Sequence, residues 1–166
     1  EARIDVPLID HVFRSFPDYT FLIAGWVSPL LEPVIARYPN VHYVGEVPNE
    51  SLGTVIRSFN AGIIPHLDNT ATRGNDLLKL LDFNACEVPV VSTRVSGVDT
   101  KSYVVHLAST QEEFAARLRE CVEGRHGLDL KRGREAARQR SWDVQVPRLA
   151  RELGLPMRAA APEREQ

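Results

Sequence analysis

Cysteine, methionine and net charge are all scarce in this 166-residue chain, and each scarcity removes a class of protein. The two cysteines, Cys86 and Cys121, sit in helical apolar patterns, so they read as small buried residues and not as a disulfide framework or zinc site. A net charge of −2 offers no large positive field, which sets aside general binding to nucleic acid or to anionic membranes. No run of ~18 apolar residues spans a membrane, and no leader pattern opens the chain. The one methionine is Met157, so the sequence is read as starting downstream of an initiator, either processed or a piece of something longer. G-x-G-x-x-G is missing, against a dinucleotide dehydrogenase, and G-x-S-x-G is missing, against a hydrolase elbow. No Asp-x-Asp element occurs, and His66 with Asp68 makes two possible metal ligands without a third. Those two read as free loop polarity.

What is present is an ordinary globular composition, 43% apolar and 25% charged, long enough for one domain with a sizeable core but too short for two Rossmann domains. The chain is organised around NAGIIPHLDNTATRGNDLLKLLDFNACEVPVVST, residues 60–93. Residues 61–65 and 88–92 are short, β-branched and non-alternating, the pattern of parallel strands covered on both faces. A helix over residues 75–86 joins them in a strand–helix–strand crossover, the unit of doubly wound sheets. Asn75 or Asp76 caps it, and its leucines make it apolar on most sides. Lys79 and Asp82 share one face of it, just beyond the carboxyl end of a strand, where open α/β sheets bind ligands.

Around this centre the pattern continues. Helices are expected over residues 4–16, 28–38 (Ser28 as cap, Pro29 at the first position, Pro33 making it irregular) and 49–59. Strands are expected over 19–24, 40–44 and 102–107. Thr110 and Glu113 form a capping box for a helix ending at Gly124. The basic segment 129–140 reads as a solvated helix face, and a last amphipathic helix runs from Ser141 to Leu153. The fold class is α/β, a single Rossmann-like doubly wound parallel sheet of about five strands with flanking helices over residues 1–154, followed by a disordered tail over 155–166.

Residues 76–93 resemble the donor-binding segment of glycosyltransferases with two Rossmann domains, the GT-B architecture, which often reads S-P-L-K-L-x-E-Y-x-A-x-G-x-P-V-V-S-T. Leu78, Lys79, Leu80, Ala85, Pro89, Val90, Val91, Ser92 and Thr93 stand in matching places, while Asp82 replaces glutamate, Asn75-Asp76 replaces Ser-Pro and Glu87 replaces glycine. The run NVHYVGEVPNESLGTVIRSFNAGIIP is similar to the family's N-V-x-x-x-G-x-V-P segment, and a weaker likeness covers residues 19–123. The resemblance implies one half of a GT-B enzyme, its C-terminal donor-binding domain. It implies a nucleotide-sugar as substrate, no further cofactor, a partner N-terminal Rossmann-like domain on the same enzyme, and a cytoplasmic setting in cell-surface polysaccharide synthesis. The returning last helix is implied to lean on that other domain. No partner nucleic acid is expected, and membrane contact only peripherally, through the other half. A strand and glycine turn normally precede the first helix of such a domain, and nothing before Ile4 supplies them.

The resemblance places Gly45, Glu46 and Val47 along the base and gives Asp82 the ribose diol. The chemistry of a diphosphate suits the amides at residues 75–77, with Asn75 among them, together with Lys79 and Arg73. Charge on the leaving diphosphate is then met by these groups and not by a metal. Three other outcomes stay open. Lys79 and Asp82 form only an internal ion pair, the domain is a non-catalytic nucleotide-binding or regulatory module, or it is a structural domain whose site has decayed, as Glu87 and Asp82 allow.

Overall fold

The computed structural model of the protein describes residues 3–73 and 77–156. Five strands and seven helices alternate along these residues: α1 (Val6–Ser15), β1 (Phe21–Ile23), α2 (Glu32–Arg37), β2 (Val41–Tyr43), α3 (Asn49–Arg57), β3 (Gly62–Ile64), α4 (Leu78–Ala85), β4 (Val90–Thr93), β5 (His106–Ala108), α5 (Gln111–Val122), α6 (Leu130–Gln139) and α7 (Trp142–Glu152). The strands pair in parallel, with Phe21 opposite Val41, Gly62 opposite Val90 and Val91 opposite His106, and a single antiparallel bridge joins Ile4 to His66. The α/β class and the strand count agree with the patterning.

The ladder is interrupted, however. β1 pairs only with β2, and β3–β4–β5 form a separate sheet. In the doubly wound order 3-2-1-4-5-6 the first strand lies between the second and the fourth. Here β1 and β3 are not laddered to each other, and just past the end of β3 residues 3–5 bond to residues 65–67 instead.

Alternation along β4 explains the layering. Val91 faces a cluster built from Leu8, Val12 and Phe13 of α1 and Phe114 and Leu118 of α5. Its neighbour Val90 faces Ile64, Leu77, Leu80 and Tyr103 on the other side. Successive side chains of a strand point to opposite faces, so a strand buried on both must be apolar at every position. At Gly62 the fit of helix to sheet is tight: a Cβ there would lie 2.6 Å from the Phe83 ring of α4.

Several boundaries moved for local reasons. α2 begins at Glu32 with Pro33 in its first turn, where a missing N–H costs nothing, and Ser28 instead accepts a 3.4 Å bond from Leu30 N–H ahead of the helix. The cap forms with one shift: Glu113 N–H donates to Thr110 Oγ1 at 3.1 Å as in a capping box, while Glu113 Oε2 accepts at 2.7 Å from Ser109 N–H, one residue ahead of the N-cap. The fifth strand was expected over 102–107 but is laddered only at His106–Ala108. Upstream, the buried Asn84 side chain takes a strand's part: its Nδ2 donates to Val104 O and its Oδ1 accepts from Val104 N–H, each at 2.9 Å. With both backbone groups satisfied, Val104 stays in the core without a neighbouring strand.

The basic α6 is a solvated face. Arg134 pairs with Glu87 at 3.0 Å, Arg138 with Glu135 at 3.0 Å, and Arg140 donates to Tyr103 OH at 2.7 Å. On α7, Trp142, Val146, Leu149 and Leu153 are all exposed. Their spacing of four, three and four residues sets them on one side of the helix. No helix among the described residues is long and apolar enough to cross a membrane. Residues 157–166, most of the expected tail, lie outside the described ones.

Glu87 carries the strain at the end of α4. Its φ is +57°, the left-handed region, and Val88 N–H reaches back to Phe83 O at 3.0 Å in the bonding of a helix C-terminus. Glycine adopts that backbone without the Cβ clash worth about 1–2 kcal/mol, less its larger entropy in the unfolded chain. Glu87→Gly is therefore expected to be more stable than Glu87→Ala by about 0.5–1 kcal/mol, read by urea unfolding; both variants lose the Arg134 pair, which cancels.

Candidate donor site

The candidate residues sit beyond the carboxyl ends of β2 and β3. After β2 the chain turns through Gly45, whose φ of +73° needs glycine, and its carbonyl accepts from Gly25 N–H at 2.7 Å. That bond ties the turns after β1 and β2 together. Glu46 is exposed and Val47 half-buried just ahead of α3. The turn thus offers a backbone edge of the kind expected beside a base. The described hydrogen bonds and ion pairs do not join it to Lys79 or Asp82.

Past β3, the loop over residues 66–73 is more ordered than its polar composition indicates. Thr72 is 1% exposed, and its hydroxyl donates to Leu67 O at 2.5 Å and accepts from Asn69 N–H at 3.0 Å. Asn69 Oδ1 in turn accepts from Ala71 N–H at 2.9 Å and Thr72 N–H at 3.2 Å. Arg73 lies exposed at the end of this turn, 4.0 Å from Asp68. An exposed pair at that distance contributes little, so the guanidinium is available to a stronger anion. Asn75 and Asp76 lie outside the described residues.

Helix α4 corrects two expectations. It starts at Leu78, not at 75, and its N-cap is Leu77, which makes no side-chain cap bond. Leu77 is drawn into the core beside Leu80 and Tyr103, and that burial fixes where the helix starts. Nor is the helix apolar all round: Leu80 and Asn84 are buried, while Leu78, Lys79 and Asp82 are exposed. Lys79 and Asp82 do share an accessible face. Described ion pairs do not include the two, although the Lys79 charge acts on the Asp82 carboxyl. Crowding of the Asp82 carboxyl by its neighbours raises its pKa above the usual value, and the Lys79 charge opposes this with smaller effect.

His66 was expected as free loop polarity, and the structure buries it to 7% exposure. Its N–H donates to Thr93 Oγ1 at 3.1 Å and its carbonyl accepts from the same hydroxyl at 2.5 Å, fixing the end of β3 to the end of β4. Burial, then the charges of Lys79 and Arg3, push the imidazole pKa down to about 4. The sequence held one signal for this: His66 directly continues the apolar run of β3. Among the described residues no group of three or more His, Cys, Asp or Glu is placed to hold a metal ion.

Relatives sharpen the picture. The family model described as glycosyl transferases group 1 matches residues 5–124. A Bacillus subtilis (strain 168) teichuronic acid biosynthesis glycosyltransferase, TuaH, is 26% identical over 136 residues, covering 78% of this chain and 30% of its own length. Among solved structures, a sucrose-phosphate synthase of Thermosynechococcus elongatus superposes with a TM-score of 0.70 at 19% identity, over 93% of this chain and 43% of that one. AviGT4, a glycosyltransferase involved in avilamycin A biosynthesis, gives 0.64 at 19% identity, with 91% and 47% covered. WaaG, a glycosyltransferase involved in lipopolysaccharide biosynthesis, gives 0.57 at 18%, with 90% and 42% covered. The chain spans about a third of the curated relative and under half of each of these structures. At such identities the structures establish the fold alone, an α/β domain resembling those of GT-B glycosyltransferases, and the match to residues 5–124 makes the chain a member of the glycosyl transferases group 1 family.

Proposed function

We propose that this chain is the donor-binding half of a glycosyltransferase that moves a sugar from a nucleotide-sugar to an acceptor without a metal ion. The observation that carries the reading is the family match over residues 5–124, because it covers every residue assigned to the donor. Lys79, Arg73 and the first-turn amides of α4, with Asn75 ahead of them, take the diphosphate; Asp82 takes the ribose diol; the Gly45-Glu46-Val47 turn lies along the base. The positive groups stabilise charge on the departing diphosphate, which is why no metal is required. The exposed stripe on α7 supports a second, N-terminal Rossmann-like domain as partner, since an apolar face of that spacing is poorly suited to water. Relatives named for teichuronic acid and lipopolysaccharide biosynthesis support a cell-surface polysaccharide as the acceptor class.

Calorimetric titration of the chain with UDP, GDP and ADP tests this. Weak binding to at least one of them is expected, unchanged by EDTA, with no sugar transfer by the chain alone. Absence of binding to all three overturns the donor reading. Loss of affinity with EDTA overturns its metal-free form, and transfer by these 166 residues overturns the division of labour.

A further inference from the structure

Among the described residues one buried side-chain nitrogen or oxygen has no hydrogen-bond partner, and it is Nδ1 of His66. Its position gives this weight: the residue lies two positions past the end of β3, the edge strand of the three-stranded sheet, and the charge of Lys79 on α4 acts on its ring. Residues 3–5 cross the same end, with Asp5 N–H donating to Pro65 O at 2.8 Å and Leu67 N–H donating to Arg3 O at 2.9 Å. His66 is thereby enclosed by backbone on one side while two cations, Lys79 and Arg3, stand near enough to oppose a third positive charge on the ring.

A neutral imidazole carries a single N–H. An orphaned buried N–H is rarer and costlier than an orphaned lone pair, so the proton belongs on Nε2. We propose that His66 is a ligand-contacting residue whose Nε2–H donates a hydrogen bond to an anionic phosphate oxygen of the donor, seated between Arg3 and Lys79. The inference rests on the donor-binding reading above and adds two residues, His66 and Arg3, to it. A neutral donor between two cations suits the task. It binds the anion without adding a charge that the cations would repel, and its burial among fixed backbone bonds holds it in place before the ligand arrives.

The mutation-free test follows the imidazole nitrogens of the 166-residue chain by NMR during titration with UDP, GDP and ADP. The expected result is the Nε2–H tautomer in the free chain and a shift of that signal as the bound form fills. His66→Phe keeps a ring of similar shape but has no donor; its affinity for the diphosphate should fall about tenfold or more, and that for the matching nucleoside should not change. His66→Gln places an amide nitrogen near the position of Nε2 and should restore most of the lost affinity. An unmoved ring signal on saturation, or equal affinity of His66→Phe and wild type, overturns the assignment while leaving the donor site intact. Equal losses in both variants reduce His66 to a packing residue and also overturn it. If wild type binds no nucleoside diphosphate, the donor-site reading itself falls.

Discussion

Asn84→Ala is expected to remove about 2–5 kcal/mol from the unfolding free energy of the chain, a large share of the 5–15 kcal/mol typical of a domain. The side chain is 2% exposed and meets both polar groups of Val104. Truncation strands a buried N–H and a buried C=O at once, each worth about 1–3 kcal/mol. Helix α6 closes over the pair: a Cβ on Gly133 would lie 3.1 Å from Val104 Cβ and 3.3 Å from Asn84 Cγ. Asn84→Leu separates hydrogen bonding from packing. It fills the space but leaves the same two groups unmet, so it should be destabilised about as much as the alanine variant. Equilibrium unfolding in urea reads both, and a leucine variant as stable as wild type would show that volume alone matters there.

That network was invisible in the sequence, for a physical reason. Asn84 lies 20 positions from Val104, and nothing in a local window distinguishes an amide that caps a distant backbone from one that faces water. The same holds at Thr72, whose hydroxyl organises a loop that reads as free polarity, and at Leu77, where burial against Tyr103 overrides the better capping residues beside it. What was legible was periodic or motif-like. The β-branched runs that became β3 and β4 announced a parallel strand pair, and the placement of Lys79 and Asp82 three apart put them on one face. The count of five strands held, while their division into a pair and a triplet did not show, because hydropathy reports burial and carries no information on which edges meet. Likewise Tyr103, Val104 and Val105 are as buried as a strand would be, yet form no ladder.

Asp82 decides whether the face it shares with Lys79 binds a nucleotide or only decorates a helix. Asp82→Ala should weaken binding of a nucleoside diphosphate about 10- to 150-fold, the worth of roughly 1.5–3 kcal/mol in charge-assisted hydrogen bonds. Lys79 influences the carboxyl without joining it among the described ion pairs, and crowding rather than Lys79 dominates its pKa. A carboxylate in that condition is incompletely satisfied, and a ribose diol supplies two donors at once. Because the residue is exposed, folding stability should change far less than affinity, in contrast to Asn84 two positions away on the buried side. Asp82→Glu tests reach: it lengthens the side chain by the one methylene that separates this chain from the glutamate of related sequences, and should bind at least as tightly as wild type. Titrations with the 2′-deoxy nucleotide complete the cycle. Wild type should lose affinity on removal of the 2′-hydroxyl and Asp82→Ala should not, since its partner is already gone. If the alanine variant binds as tightly as wild type, or both respond equally to the deoxy nucleotide, the ribose contact lies elsewhere and Asp82 belongs to the solvated surface.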